Sequence, residues 1–315
     1  MRASDRPTLS ARLLHGGVLL AILVAVAALG GCAAAPARLI KIGLVGPFEG
    51  RYREIGYDVI PAARLALREY AVHAAQTGVA VELVAYDDLG DPDHAVIAAE
   101  QAVNDPAVRI VIGHWRDATT LAGLPVYSAA GVPLVTFSPL DLQDAAGIYN
   151  LSPHRESLEE AALTVADDQA EILNWMGETL EDHDLVGAIP EGTTIIGGPD
   201  PAVSQLFALL GERAIGLQIV LGAGLPSDTP LPEFESDTFE NGFKQGSLGA
   251  PPGLLSLTGY LATWQAIRIA LGAEGVSFNP EDVPQLQFDA SGRRVRAPIF
   301  IYEWGEQGLS FVEMR

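Results

Sequence analysis

A single cysteine, Cys32, stands in a chain of 315 residues. That excludes a disulfide framework and any zinc site built on thiolates. Basic residues are scarce as well: 19 Lys and Arg face 40 Asp and Glu, a formal charge of −21. Nucleic acid is excluded as a partner on that balance, because phosphate binding needs a basic face that releases counterions. A polybasic patch for anionic lipid is excluded with it. The 33 Gly and 21 Pro form no periodic tract, so they serve turns and not a fibre. Enzyme signatures are missing too. The chain has no His-Glu-x-x-His, no Gly-x-Ser-x-Gly and no Walker loop. Gly222-Ala223-Gly224-Leu225-Pro226-Ser227 lacks a third glycine and contains a proline, so it is no dinucleotide fingerprint. His73, His94, His114, His154 and His183 are scattered and read as surface or loop positions. The expectation is a protein that is not an enzyme and uses no metal or cofactor.

What is present is apolar material. Hydrophobic residues make up 49% and charged residues 19%, enough for a packed core, and the length suits about two domains. Arg2, Arg6 and Arg12 precede an unbroken apolar run from Val18 to Leu29. Leu29-Gly30-Gly31-Cys32 then closes it with small residues. This resembles a bacterial lipoprotein signal. Residues 1–31 would be removed, Cys32 would carry the lipid, and residues 32–37 would form a short tether. The alternative is an uncleaved anchor, although the run is short of the ~20 apolar residues a spanning helix needs. Either places the folded part outside the cytoplasmic membrane.

From residue 39 the pattern alternates. Leu39 to Val45 is a short apolar run bounded by turn residues and predicts a buried strand. A helix follows over Asp58 to Gln76 with Pro61 in its first turn, then a strand over Val79 to Tyr86. Asp91-Pro92 is an N-cap and first helical residue for a helix ending near Asn104. A strand over Val108 to Ile112, a helix over Thr119 to Ala130 and a strand over Val132 to Phe137 complete the series. Such alternation means βαβ units on a parallel sheet covered on both faces. Ligands on these sheets sit at the C-terminal ends of the strands. Beyond Pro153, residues Ser157 to Leu180 read either as one helical stripe or as a strand over Ala161 to Val165 leading into a helix. Strands over Thr193 to Ile196 and Ala214 to Leu221, and helices over Ala202 to Gly211, Leu231 to Gly246 and Leu254 to Gly272, come next. The end is β-rich, with an Asp289-Ala290-Ser291-Gly292 turn, Pro298 to Trp304 and Leu309 to Val312.

Ile40-Lys41-Ile42-Gly43-Leu44-Val45-Gly46-Pro47 with Gly50 and Gly56 resembles the opening of type I periplasmic solute-binding proteins of the leucine/isoleucine/valine-binding class. Tyr86-Asp87-Asp88, Asp91-Pro92, Val111-Ile112-Gly113-His114, Pro125-Val126-Tyr127, Gly131-Val132-Pro133 and Ser138-Pro139 continue the resemblance in order. Phe288-Asp289-Ala290-Ser291-Gly292 resembles that family's Phe-Asp-x-x-Gly turn. The resemblance implies an α/β fold of two lobes, with parallel sheets flanked by helices, closing on a small solute. It implies delivery of that solute to an ABC permease in the cytoplasmic membrane. Lobe 1 would comprise residues 38–152 and 220–293, and lobe 2 residues 153–219 and 294–315. Only residues 153–192 stand where that family has several βα units, so the second lobe is expected to be reduced. The second reading is a ligand-sensing or interaction lipoprotein on the same fold.

The same resemblance supplies candidate ligand residues. The loop after the third strand holds Trp115, Asp117 and Thr119, with Asp117 where the family usually has Ser. Asp117 either faces the ligand or caps the helix, and Trp115 is either a stacking platform or a lid. The loop after the fourth strand holds Ser138 and Asp141. Tyr52 matches an aromatic near the ligand, and Asp200 in Gly198-Pro199-Asp200 matches a carboxylate that pairs with a ligand amine. Three carboxylates around one cleft, Asp117, Asp141 and Asp200, predict a ligand carrying an amine, guanidinium or other cation, unless Arg53 or Arg116 turns inward to neutralise them.

Overall fold

The computed structural model describes residues 38–140, 142, 147–166, 172–174, 193–196, 210–230, 234–281, 283 and 285–315. Its first strand, β1 (Arg38–Gly46), buries Ile40, Ile42, Leu44 and Val45. A strand covered on both faces needs such a nearly continuous apolar run, here interrupted only by Lys41, which pairs with Asp105. Helix α1 (Arg53–Ala71) follows, then β2 (Val79–Asp87), α2 (Pro92–Asn104), β3 (Val108–Ile112), α3 (Asp117–Ala130), β4 (Leu134–Thr136) and β5 (Ile148–Asn150). The sheet order is β2-β1-β3-β4-β5, with β1, β3, β4 and β5 parallel to their neighbours in that series. One face packs on α1, and the other on α2 and α3 through Ala98, Ala99, Ala102 and Tyr127.

The boundaries follow local chemistry. The Asp91 carboxylate accepts from the N–H groups of Asp93 and His94 at 3.0 Å, and Pro92 sits where no N–H is needed, as expected. Helix α1 starts earlier than expected, so Pro61 lies inside it and removes one backbone hydrogen bond. Its apolar face, including Ile55, Val59, Ala62, Ala63 and Ala66, is buried continuously and holds the helix through that defect.

The chain then crosses to a second sheet. Helix α4 (Arg155–Val165) rules out the strand alternative over Ala161 to Val165, but the expected stripe to Leu180 does not run on either, because a strand stands at Ile172–Asn174. Strands β6 (Ile172–Asn174), β7 (Thr194–Ile196) and β8 (Gln218–Leu221) run parallel. Gly211–Ala214 forms a 3-10 turn, so β8 is shorter than the expected strand from Ala214. Helices α5 (Ser236–Gly246) and α6 (Ser256–Ala273) return to pack on α1 in the first lobe. Strands β9 (Phe300–Gly305) and β10 (Gly308–Met314) finish the second sheet antiparallel, in the order β10-β9-β8-β7-β6. Its core has two faces. Leu158, Ala161 and Ala162 of α4 meet Val220, Ile299 and Ile301, while Ile195, Ile219, Leu221 and Tyr302 face Ala214 and Leu217.

Candidate ligand site

Strand β1 lies between β2 and β3, so the connections from β1 and from β3 leave on opposite faces of the sheet. The loops that follow these two strands are therefore neighbours with a crevice between them, the usual ligand position on an open α/β sheet. Those loops are Gly46 to Tyr52 and Gly113 to Arg116. Asp87 and Asp88 at the end of β2 bind them. The Asp87 carboxylate accepts from the Phe48 and Leu89 N–H groups, and that of Asp88 accepts from the Gly90 N–H.

Beneath the loops lies a buried polar chain. His114 lies in a loop, as expected, but it is fully buried and not at the surface. Its Nδ1 is 2.7 Å from Asp88 and its Nε2 3.1 Å from the Tyr127 hydroxyl. The carboxylate only accepts, so Nδ1 carries the proton and Nε2 accepts from the phenol. Burial pushes the Tyr127 hydroxyl up, which keeps it a donor. The hydroxyls of Thr120 and Thr136 donate to the His114 carbonyl at 3.2 and 3.0 Å. Gly113 is required here: its φ is +132°, and a Cβ would stand 2.1 Å from the Val45 carbonyl oxygen.

Above this base the expected site residues divide. Trp115 is 1% exposed and packs beneath Gly46, whose Cβ would meet the indole at 2.8 Å. It is core and not a stacking platform or lid, because the bulky ring fills the space under β1. Thr119 is buried too, with its hydroxyl donating to the Arg116 carbonyl at 3.1 Å. Tyr52 is 5% exposed, its edge against Gly90 and its face covered by the Arg116 guanidinium 3.9 Å from the ring centroid. Arg116 itself turns inward and donates to the Gly90 carbonyl at 2.7 Å. Asp141 and Asp200 lie outside the described residues.

Asp117 and Ser138 do meet. The Ser138 hydroxyl donates to Asp117 Oδ1 at 2.5 Å, and Arg155 Nη2 donates to Oδ2 at 2.9 Å. The N-cap of α3 is Arg116, and the Asp117 oxygens are taken by Ser138 and Arg155, so the capping alternative fails. Burial raises its carboxyl above the ordinary range, against the opposing pull of Ser138, Arg155 and Arg116. Both oxygens are thus engaged, and Arg116 and Arg155 offset the charge that was to attract a cation.

Two residues that the sequence reading left out of the site hold this corner together. Asn150 Nδ2 donates to the Ser138 carbonyl at 2.7 Å, while its Oδ1 accepts from the Ser152 N–H at 3.0 Å. Arg293, 4% exposed, donates to the carbonyls of Ser152, Pro153 and Leu140. The Asp289 turn presents it: Asp289 Oδ1 accepts from the N–H groups of Ser291 and Arg293. The signal available in the sequence was that turn; its distant partners were not legible. Among the described residues no group of three or more His, Cys, Asp or Glu is set to hold a metal ion.

A family model described as periplasmic binding protein matches residues 39–172. Curated relatives include the leucine-, isoleucine-, valine-, threonine-, and alanine-binding protein of Pseudomonas aeruginosa, 34% identical over 97 residues, which are 31% of this chain and 26% of the relative. The Leu/Ile/Val-binding protein of Escherichia coli K12 is 31% identical over 116 residues, 35% of this chain and 31% of the relative. The matched stretch therefore spans about a quarter to a third of these relatives' length. Among solved structures, a leucine binding protein of Thermotoga maritima superposes with a TM-score of 0.66 at 16% identity, covering 87% of this chain and 98% of that one. A solute-binding protein from R. palustris in complex with benzoate gives 0.60 at 16% identity, covering 88% and 96%. A two-lobed α/β molecule with its crevice at the strand ends is the architecture of a type I periplasmic binding protein. The chain shares that fold, and residues 39–172 match the periplasmic binding protein family model.

Proposed function

We propose that this protein captures a small polar solute between its two lobes outside the cytoplasmic membrane and passes it to an ABC permease. The observation that carries this reading is the ion pair between Asp117 of α3 and Arg155 of α4. It joins the strand-end loops of the first sheet to the first helix of the second, where a solute would touch both. The names of the relatives support a transport role, since they describe binding of amino acids, and one neighbour of the same fold holds benzoate. The lipoprotein motif at Leu29 to Cys32 supports anchoring through Cys32. The intact mass of protein extracted from membranes would register that lipid.

The inward turn of Arg116 and the engagement of Asp117 argue against the cationic solute expected from the carboxylates alone. A thermal-shift screen of amino acids, amides, organic acids, urea and short peptides tests the function. A bound solute at ~100 times its dissociation constant adds about 2.7 kcal/mol of stability, several degrees of melting temperature. If no solute in the screen moves the transition, the reading falls.

A further inference from the structure

Arg155 is the group of this corner that still has capacity to spare. Its side chain is 34% exposed, against 13% for Asp117. Asp117 takes Nη2, and among the described residues Nη1 and Nε meet no protein acceptor. Guanidinium N–H donors lie in one plane, and the second hydrogen of Nη2 together with Nη1 or Nε matches a carboxylate in two parallel bonds. Both oxygens of Asp117, in contrast, are filled by Ser138 and Arg155. An ammonium approaching Asp117 would compete with a guanidinium already in place. A carboxylate approaching Arg155 finds unused donors on a side chain whose direction Asp117 fixes.

The surrounding charges point the same way. Arg116 adjoins Asp117 in sequence and is anchored on the Gly90 carbonyl. Arg293 holds the carbonyls of Ser152 and Pro153, just ahead of Arg155. Asp88 is fully buried and paired with His114. The segments that meet here thus bring three guanidinium groups around Asp117, whose charge Arg155 and Arg116 offset; Glu156, exposed in the first turn of α4, is the acidic neighbour of Arg155 in sequence.

Resting on the solute-binding reading above, we propose that Arg155 selects the solute: the cleft takes a small organic carboxylate and does not require an ammonium group beside it. Asp117 acts as the counter-ion that positions Arg155, and Ser138 fixes Asp117. A simple carboxylic acid is then preferred over the α-amino acid of the same skeleton, whose ammonium would face Arg155 and find Asp117 occupied.

Calorimetric titration of the full chain with two matched sets tests this. One set is 4-methylpentanoate, leucine, isoamylamine and 4-methylpentanamide; the other is benzoate, phenylglycine, benzylamine and benzamide. At least one carboxylate should bind ten times more tightly than its amino acid, and neither amine nor amide should match it. Arg155→Gln should weaken that carboxylate at least tenfold, and Arg155→Lys, which keeps the charge but not the planar fork, should recover only part of the loss. If Arg155→Gln fails to fold, the Arg155→Lys affinities and the ranking within each set decide. Equal or tighter binding of the amino acid or amine overturns the inference, as does a carboxylate affinity indifferent to Arg155. Binding of an amine or amide alone would leave the solute-binding function standing while this selection falls. No binding by any member of either set, together with a flat thermal-shift screen, removes both.

Discussion

Asn150 shows what one side chain does at the corner between the lobes. It belongs to β5, yet its amide reaches the Ser138 carbonyl on one side and the Ser152 N–H on the other. Its backbone is committed as well, accepting from the Arg294 N–H and donating to the Gly292 carbonyl. A side chain offering both a donor and an acceptor is needed, and aspartate would set a carboxylate against the Ser138 carbonyl. Asn150→Ala leaves a buried carbonyl and a buried N–H without these partners, at about 1–3 kcal/mol for each unsatisfied group. Urea unfolding should therefore show a loss of about 2–6 kcal/mol with an unchanged slope. A loss under about 0.5 kcal/mol, the scale of a surface substitution, would show that water replaces the amide without cost.

Helices α1 and α6 are joined by a contact of the same kind, now between elements. Asp58 of α1 accepts from the N–H groups of Gly253 and Leu255 at 3.0 and 3.1 Å, holding the turn that leads into α6. Burial, with a smaller push from Glu54, raises its carboxyl from 3.8 to about 6. The folded chain therefore binds a proton between those values that the unfolded chain does not. Stability from this group rises as pH falls through about 6, is complete below about 4, and is absent above 6. Relative to Asp58→Asn, which does not titrate, the melting temperature of the native chain should climb as pH is lowered from 7 to 4.5. Parallel profiles for the two proteins would refute the shifted carboxyl. The contact of Asp58 with Gly253 spans 195 positions, whereas the legible elements were those held by near neighbours in sequence. Strand β3 and the Asp91-Pro92 start of α2 rest on apolar runs and a local cap. Strand β5 was missed because three residues carry no periodicity. The corner was largely unreadable for a related reason: Asp117 looked like a ligand carboxylate until its partner, 38 positions away, was placed beside it. Arg293 reaches carbonyls 140, 141 and 153 positions away, and no local pattern announces that.

At the scale of the molecule, β1 and β3 of the first sheet are longer than the parallel strands of the second, and this bears on how a solute is held. In the first, Ile40, Ile42, Ile110 and Val111 are fully buried between helices on both faces, and β1 and β3 each pair with strands on two sides. In the second, β6 and β7 are three residues each, and β8 is four. Short strands fix fewer cross-strand pairs and bury fewer side chains, so their hydrogen bonds open at lower free energy than the global unfolding. Amide hydrogen exchange of the ligand-free protein should therefore be slowest in β1 and β3 and measurably faster in β7 and β8. A solute bound between the lobes stabilises only states in which both sides of the site are formed. Its largest effect should fall on the less stable side, in β7, β8 and the first turn of α4 at Arg155, with little added protection in β1. Equal protection of β7 and β1 without solute would contradict the unequal cores. A solute that slows exchange in the first sheet alone would mean that it binds one lobe and leaves the second unengaged.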